Sequence, residues 1–160
     1  MSKEFRFPKI LLIFKSLMLC LMIIKTQLGS SALADERLKT DCHNTLEKAR
    51  LWIRATDFNA PEEEKTRVKS AINIANQACR LAKESAPDDG EVLVNSAYAL
   101  FAAEKKKEAV KLIQEASEIG YPPAMVMMAR YLGQGKYMEK DSEGAWLLLI
   151  KTLKTKHDVA

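Results

Sequence analysis

Histidine and cysteine are scarce in this chain, which has two histidines and three cysteines among 160 residues. His43 and His157 lie far apart, and neither belongs to an H-x-x-x-H or C-x-x-C motif. Metal centres commonly use such closely spaced ligands. His43 directly follows Cys42, and adjacent residues do not share a face of a helix, so these two do not form a catalytic pair. We therefore expect no metal site and no catalytic residues.

Phosphate-binding loops are also missing. Gly133-Gln134-Gly135 lacks the third glycine and the preceding strand of a dinucleotide-binding loop, and the chain has no G-K-[ST] motif. These absences argue against nucleotide chemistry and against any cofactor. The sequence thus predicts that the protein is not an enzyme.

Excess charge disappears once the first 34 residues are set aside. The formal net charge is +4, but residues 1–34 hold five of the 25 basic residues and one of the 21 acidic residues. Residues 35–160 therefore carry 20 of each sign. Nucleic-acid-binding proteins usually present a clear basic excess, so we expect no nucleic-acid partner.

Residues 1–34 have the three parts of a secretory signal peptide: a basic start, an apolar centre and a small-residue end. Ala32 and Ala34 form an A-x-A site, so cleavage after Ala34 would leave Asp35 as the new amino terminus. The apolar run at 10–24 has 15 residues and includes a lysine, whereas a membrane span needs about 20. We expect a periplasmic or secreted protein without a stable membrane span. The alternative is that residues 10–28 remain as an inner-membrane anchor.

Two helices are predicted at 36–56 and 62–85, because apolar residues recur there every three or four positions. The apolar stripes are Leu38, Cys42, Leu46, Ala49 and Ile53 in the first helix and Val68, Ile72, Ala75, Cys79 and Ala82 in the second. Pro61 and the three glutamates after it are typical of a helix start. We expect the two helices to form an antiparallel hairpin.

Cys42 and Cys79 are the only two cysteines after the predicted cleavage position. They lie at nearly equal distances from the hairpin midpoint near Ala60 and belong to the two facing apolar stripes. In an oxidising compartment such a pair is expected to form a disulfide. The alternative is two unpaired cysteines in the core.

Four further helices are predicted, at 90–103, 106–119, 124–135 and 141–151. Gly120 suits a left-handed position after the fourth helix. The helix boundary at 116–124 corresponds to residues 152–160, which lie 36 residues later and end at Ala160. A fixed period of this length indicates stacked helical hairpins, so the predicted fold class is all-α, an α-solenoid.

Part of this pattern resembles known helical repeats. Residues 88–121 are similar to a tetratricopeptide (TPR) repeat in the spacing of Leu93, Ala97, Leu100, Ala109, Ile113 and Ala116. Residues 122–160 look like a Sel1-type repeat through Ala124, Tyr131, Leu132, Gly135, Asp141, Ala145, Leu148, Lys151 and Ala160. The first hairpin, 35–87, resembles the TPR family more loosely. Ala129 and Lys156 depart from the Sel1 pattern, which usually has glycine at both positions.

The resemblance implies a protein-interaction adaptor or regulator in which the first helix of each hairpin lines a groove for a peptide or a partner helix. The implied groove residues are Asn95, Tyr98, Phe101, Met127, Arg130 and Tyr131. An amide and a guanidinium can hold a peptide backbone or a carboxylate, while aromatic and methionine side chains adapt to apolar groups. The alternative is that these aromatic and methionine residues form core between helices.

Two other functions stay open at this point. A retained leader would make the protein a membrane-anchored envelope assembly factor. An enzyme acting on envelope polymers is the weaker alternative, and loss of activity on substitution of His43, Glu118 or His157 would favour it. The sixth helix also has more apolar residues than one face can bury, among them Trp146. Either this surface binds another chain, or the natural protein continues with further repeats.

Export predicts a defined mass for the protein recovered from the cell envelope. We expect intact-mass measurement to give a chain starting at Asp35, and Ala32→Asp to block processing because signal peptidase requires small residues there. A full-length mass for the unmodified protein would contradict cleavage.

Overall fold

The computed structural model describes residues 9–57 and 59–157, with side-chain positions for 32–57 and 59–154. The described residues form six helices and no strand: α1 Lys9–Ala55, α2 Glu62–Ser85, α3 Gly90–Ala102, α4 Lys106–Glu118, α5 Pro122–Gln134 and α6 Ser142–His157. The all-α prediction is therefore confirmed. Most of the predicted leader lies outside the residues with described side chains, so its cleavage remains a prediction.

The chain divides into two compact units, Met1–Glu36 and Arg37–Ala160. The second unit contains the end of α1 and all of α2 to α6, and the packing described below concerns it alone. Within it, α2 packs on α3, α3 on α4, α4 on α5 and α5 on α6. Each helix from α2 onward is thus in contact with the next one in the sequence.

Helix ends follow the local residue types. Pro61 precedes α2 and three glutamates fill its first turn, as predicted. Gly120 has φ +88°, the predicted left-handed conformation. Asp141 caps α6, where its Oδ1 accepts a 2.8 Å hydrogen bond from the Gly144 amide. The fifth helix begins at Pro122 and not at Ala124, because proline fits the first turn of a helix without losing a hydrogen bond.

Asp89 caps α3 and also ties it to α1. Its Oδ1 accepts hydrogen bonds from the Glu91 and Val92 amides, and its Oδ2 lies 2.7 Å from Lys39 Nζ. Partial burial favours a higher pKa for Asp89, but the hydrogen bonds from Lys39 and the two amides outweigh it and hold the pKa below its ordinary value. This contact therefore contributes stability at neutral pH that is lost as the pH falls through that lowered pKa.

The first buried cluster joins α1, α2 and α3 around a pair of cysteines. Cys42 and Cys79 Sγ atoms lie 2.07 Å apart, the distance of a disulfide bond, as the sequence predicted. We call this group the disulfide cluster; its buried members are Cys42, Leu46, Cys79, Ala82, Val92 and Ala99. Ile53, expected on the same stripe of α1, is 41% exposed, because the cluster takes its α1 members from Leu38 to Leu46 only.

The second buried cluster joins α3, α4 and α5. We call it the central cluster; its buried members are Leu93, Val94, Ala97, Ala109, Leu112, Ile113, Ala116, Ala124, Met127, Met128 and Tyr131. The alanines allow close approach of the helices, and the larger side chains fill the space between them. Tyr98 packs against both clusters, so it links the first hairpin to the rest of the unit.

Removing the disulfide should lower stability strongly. In the chain-entropy model, a loop closed by residues 37 apart contributes about 4 kcal/mol, out of a total of roughly 5–15 kcal/mol for a typical domain. We expect the double variant Cys42→Ala, Cys79→Ala to unfold at a clearly lower urea concentration. Reductant should lower the midpoint of the wild type and leave the double variant unchanged; equal midpoints for both proteins would contradict the prediction.

Candidate binding surface

Tyr98 brings α1, α3 and α5 together on one side of the unit. The Cζ atom of Arg50 lies 4.3 Å from the centre of the Tyr98 ring, within cation–π distance. On the other side, the Tyr98 hydroxyl donates to Met127 Sδ at 3.5 Å. The first helices of the three predicted hairpins are therefore connected through this half-buried tyrosine.

Tyr131 on α5 is buried and contacts a second tyrosine. Its ring meets that of Tyr137 edge to face, with centres 5.2 Å apart. The Cζ atom of Arg130 lies 5.8 Å from the Tyr131 ring centre. Burial raises the pKa of the Tyr131 hydroxyl, and Arg130 works against that rise. The phenol therefore stays neutral at physiological pH.

Tyr137 lies in the turn between α5 and α6 with φ +70°, a left-handed conformation that residues other than glycine and asparagine rarely adopt. Its ring packs on Tyr131 and on Phe101, whose centre is 5.7 Å away. These contacts compensate for the backbone strain of about 1–2 kcal/mol expected for such a residue. Tyr137 remains 43% exposed, so it offers an aromatic face to solvent. We call Tyr98, Phe101, Tyr131 and Tyr137 the aromatic cluster.

Basic side chains surround the aromatic cluster. Lys136 Nζ lies 5.1 Å from the Tyr137 ring centre. Tyr137 also borders a cavity of about 480 Å³, lined by Lys106, Lys107, Val110 and Tyr137 itself. We call Arg50, Lys106, Lys107, Arg130 and Lys136 the cationic rim.

Only part of this positive charge is neutralised within the described residues. Arg50 pairs with Glu47, and Lys106 lies 2.7 Å from Glu104. The hydrogen bond from Lys106 to Glu104 raises the pKa of that lysine. Lys107, Arg130 and Lys136 have no carboxylate within ion-pair distance in the part of the chain that the structure describes. Three cations are thus available to an external anion.

The six predicted groove residues divide into two groups. Arg130 is exposed, and Asn95, Tyr98 and Phe101 are half-buried. Met127 and Tyr131 are only 8% and 5% exposed and belong to the central cluster. Both side chains pack with residues of α3 and α4 in that cluster, and the groove stays a prediction.

No pattern in the sequence indicated that Arg50, Lys136 or Tyr137 would lie on this surface. The register of α1 against α3, which places Arg50 over Tyr98, depends on the docking of the first hairpin. The position of Tyr137 depends on a left-handed backbone that residue type alone does not indicate. The only sequence feature pointing to this turn was Gly135, which ends α5 with φ +64°.

Among residues with described side chains, no group of three or more histidine, cysteine, aspartate or glutamate residues is arranged to hold a metal ion. No helix in that same part of the chain has both the length and the apolar character needed to cross a bilayer. No protein-family model matches the chain, and searches of curated proteins and of solved structures found no match.

Two residues in turns have a left-handed backbone, and only one of them, Tyr137, makes aromatic contacts. Comparing glycine substitutions at both positions tests what those contacts contribute. Glu104 has φ +61° and Tyr137 φ +70°. We expect Glu104→Gly to raise the free energy of unfolding by up to about 1 kcal/mol, because glycine relieves the strain and only an exposed ion pair is lost. Tyr137→Gly should lower it, because each aromatic contact contributes about 0.5–1.5 kcal/mol.

Urea unfolding of the two variants beside the wild type checks this prediction. Stabilisation by both substitutions would contradict the prediction, because the Tyr137 ring would then contribute less than the backbone strain costs.

Proposed function

We propose that this protein is an exported adaptor or regulator, built from TPR- and Sel1-like hairpins, that binds an acidic segment of a partner protein. The binding surface is the aromatic cluster with its cationic rim. The observation that carries the proposal is Tyr137, which is held in a left-handed conformation with an exposed ring beside Lys136 and a cavity of about 480 Å³. Backbone strain of this kind is concentrated at functional positions in proteins.

Charge determines the kind of partner. Lys107, Arg130 and Lys136 can donate charge-assisted hydrogen bonds to carboxylates, the strong class of hydrogen bond between proteins. The exposed part of Tyr137 and the neighbouring cavity accept an apolar side chain from the same segment. An acidic segment with an embedded apolar or aromatic residue therefore complements this surface.

Contacts among α1, α3 and α5 support the solenoid arrangement within this proposal. Arg50, Tyr98 and Met127 come one from each of these helices and touch in that order. In a TPR-like stack the first helices of successive hairpins lie side by side and line the concave face. The sequential packing of α2 to α6 agrees with such a stack.

Export rests on the leader and on the cysteines. A disulfide between Cys42 and Cys79 is compatible with an oxidising compartment, where disulfides persist. The boundary between the two compact units, after Glu36, lies close to the proposed cleavage position at Ala34 and Asp35. Both observations favour a processed protein acting in the periplasm or outside the cell.

A fluorescent peptide of glutamates around one phenylalanine is the direct probe of this function. We expect fluorescence anisotropy to show saturable binding that weakens as salt is added, because salt screens exposed charges. The same peptide with glutamines should bind much more weakly. Equal binding of both peptides would contradict an electrostatic role for the cationic rim.

Charge reversal locates the binding surface. Arg130→Glu and Lys136→Glu should each weaken binding of the glutamate peptide by roughly tenfold, the effect of losing about 1.4 kcal/mol. Lys69→Glu is the matched control, because it makes the same charge change on an exposed position of α2 outside the rim. If Lys69→Glu weakened peptide binding as much as the rim variants do, the peptide would bind outside the cationic rim.

A further inference from the structure

A second surface, on α5 and α6, is apolar and separate from the cationic rim. Trp146 and Leu153 of α6 are 64% and 65% exposed, and Val126 of α5 is 48% exposed. Together with Pro122 and Leu149 they border a cavity of about 520 Å³ between the two helices. Large exposed apolar side chains gathered around a groove mark an interaction surface.

Three apolar residues of α6 lie on one stripe. Trp146, Leu149 and Leu153 are separated by three and four residues, so they share a face of the helix. Seven residues of helix place Trp146 and Leu153 roughly 10 Å apart along the axis, with Leu149 between them. Trp146, Leu149 and Leu153 all line the groove.

This arrangement is complementary to itself under a two-fold rotation. A two-fold axis passing near Leu149 would run α6 antiparallel to the same helix of a second copy. Trp146 would then meet Leu153 of the partner subunit, and the contact would occur twice because the two ends are exchanged. The Trp146 ring of each copy would then pack against the groove of the other.

Two charged residues follow the same symmetry. Glu143 and Lys154 are exposed, lie on the same side of α6 and stand at nearly equal distances before and after Leu149. The rotation that pairs Trp146 with Leu153 also brings Glu143 near Lys154 of the partner subunit. Opposite charges would therefore meet at both ends of one edge of the apolar contact.

We propose that this surface is a dimer interface, in which α6 packs antiparallel on α6 of a second copy of this chain. An unrelated helix could occupy the groove, but it would not require reciprocal placement of Trp146 with Leu153 and of Glu143 with Lys154. The interface lies on α6 and the outer side of α5, so it leaves the aromatic cluster free to bind a peptide. The proposal does not depend on the function proposed above.

Sedimentation equilibrium of the full chain, as recovered from the cell envelope, tests the dimer. The wild type should be dimeric, and Trp146→Ala should weaken the dimer by roughly tenfold or more, because tryptophan is enriched among the few residues that dominate interface affinity. Circular dichroism should show unchanged helicity, since the ring is largely exposed. A monomeric wild type would overturn the proposal, as would an unaffected dimer in Trp146→Ala.

A charge exchange tests the antiparallel arrangement. Glu143→Lys and Lys154→Glu should each weaken the dimer, since like charges then face each other, and the double variant should recover the wild-type constant. Lys69→Glu serves as the control and should leave the dimer unchanged. The antiparallel arrangement would be overturned if the double variant dimerised no more tightly than the single variants. Any contribution of the leader to dimerisation is the same in all of these proteins.

Discussion

The disulfide between Cys42 and Cys79 is the constraint on which the rest of the unit depends. It joins α1 to α2 at a point where Leu46 and Val92 also pack, so that covalent bond and apolar burial act at the same place. Polar contacts from α1 to α3 include the partly exposed ion pair of Lys39 with Asp89 and the contact of Arg50 with Tyr98. Such contacts contribute only about 0–2 kcal/mol each.

The proposed binding surface also depends on the disulfide. Arg50 reaches Tyr98 only because the disulfide cluster fixes α1 against α3, and Tyr98 in turn contacts Met127 of the central cluster. Loosening the first hairpin would therefore withdraw one cation from the rim. Arg130 and Lys136 would stay in place, because α5 is held by the central cluster. The disulfide thus helps to position Arg50 on the surface, although neither cysteine belongs to that surface.

Local sequence rules predicted much of this fold. Pro61 and the glutamates after it gave the start of α2, and helical periodicity placed both Cys42 and Cys79 on facing stripes. The candidate surface was predicted less completely. The resemblance to helical repeats placed Tyr98 and Tyr131 in one predicted groove, but only the packed structure decides which side chain is covered. A left-handed Tyr137 follows from its contacts with other helices, which no local pattern contains.

Hydrogen exchange of the variant Cys42→Ala, Cys79→Ala tests the dependence on the disulfide most directly. We expect amides of α2 and of α1 after Arg37 to exchange faster than in the wild type, while α4 and α5 keep their protection through the central cluster. Mass spectrometry of peptic fragments would resolve these segments. Unchanged protection of α1 and α2 in the variant would contradict the account, because the helices would then be held without the bond.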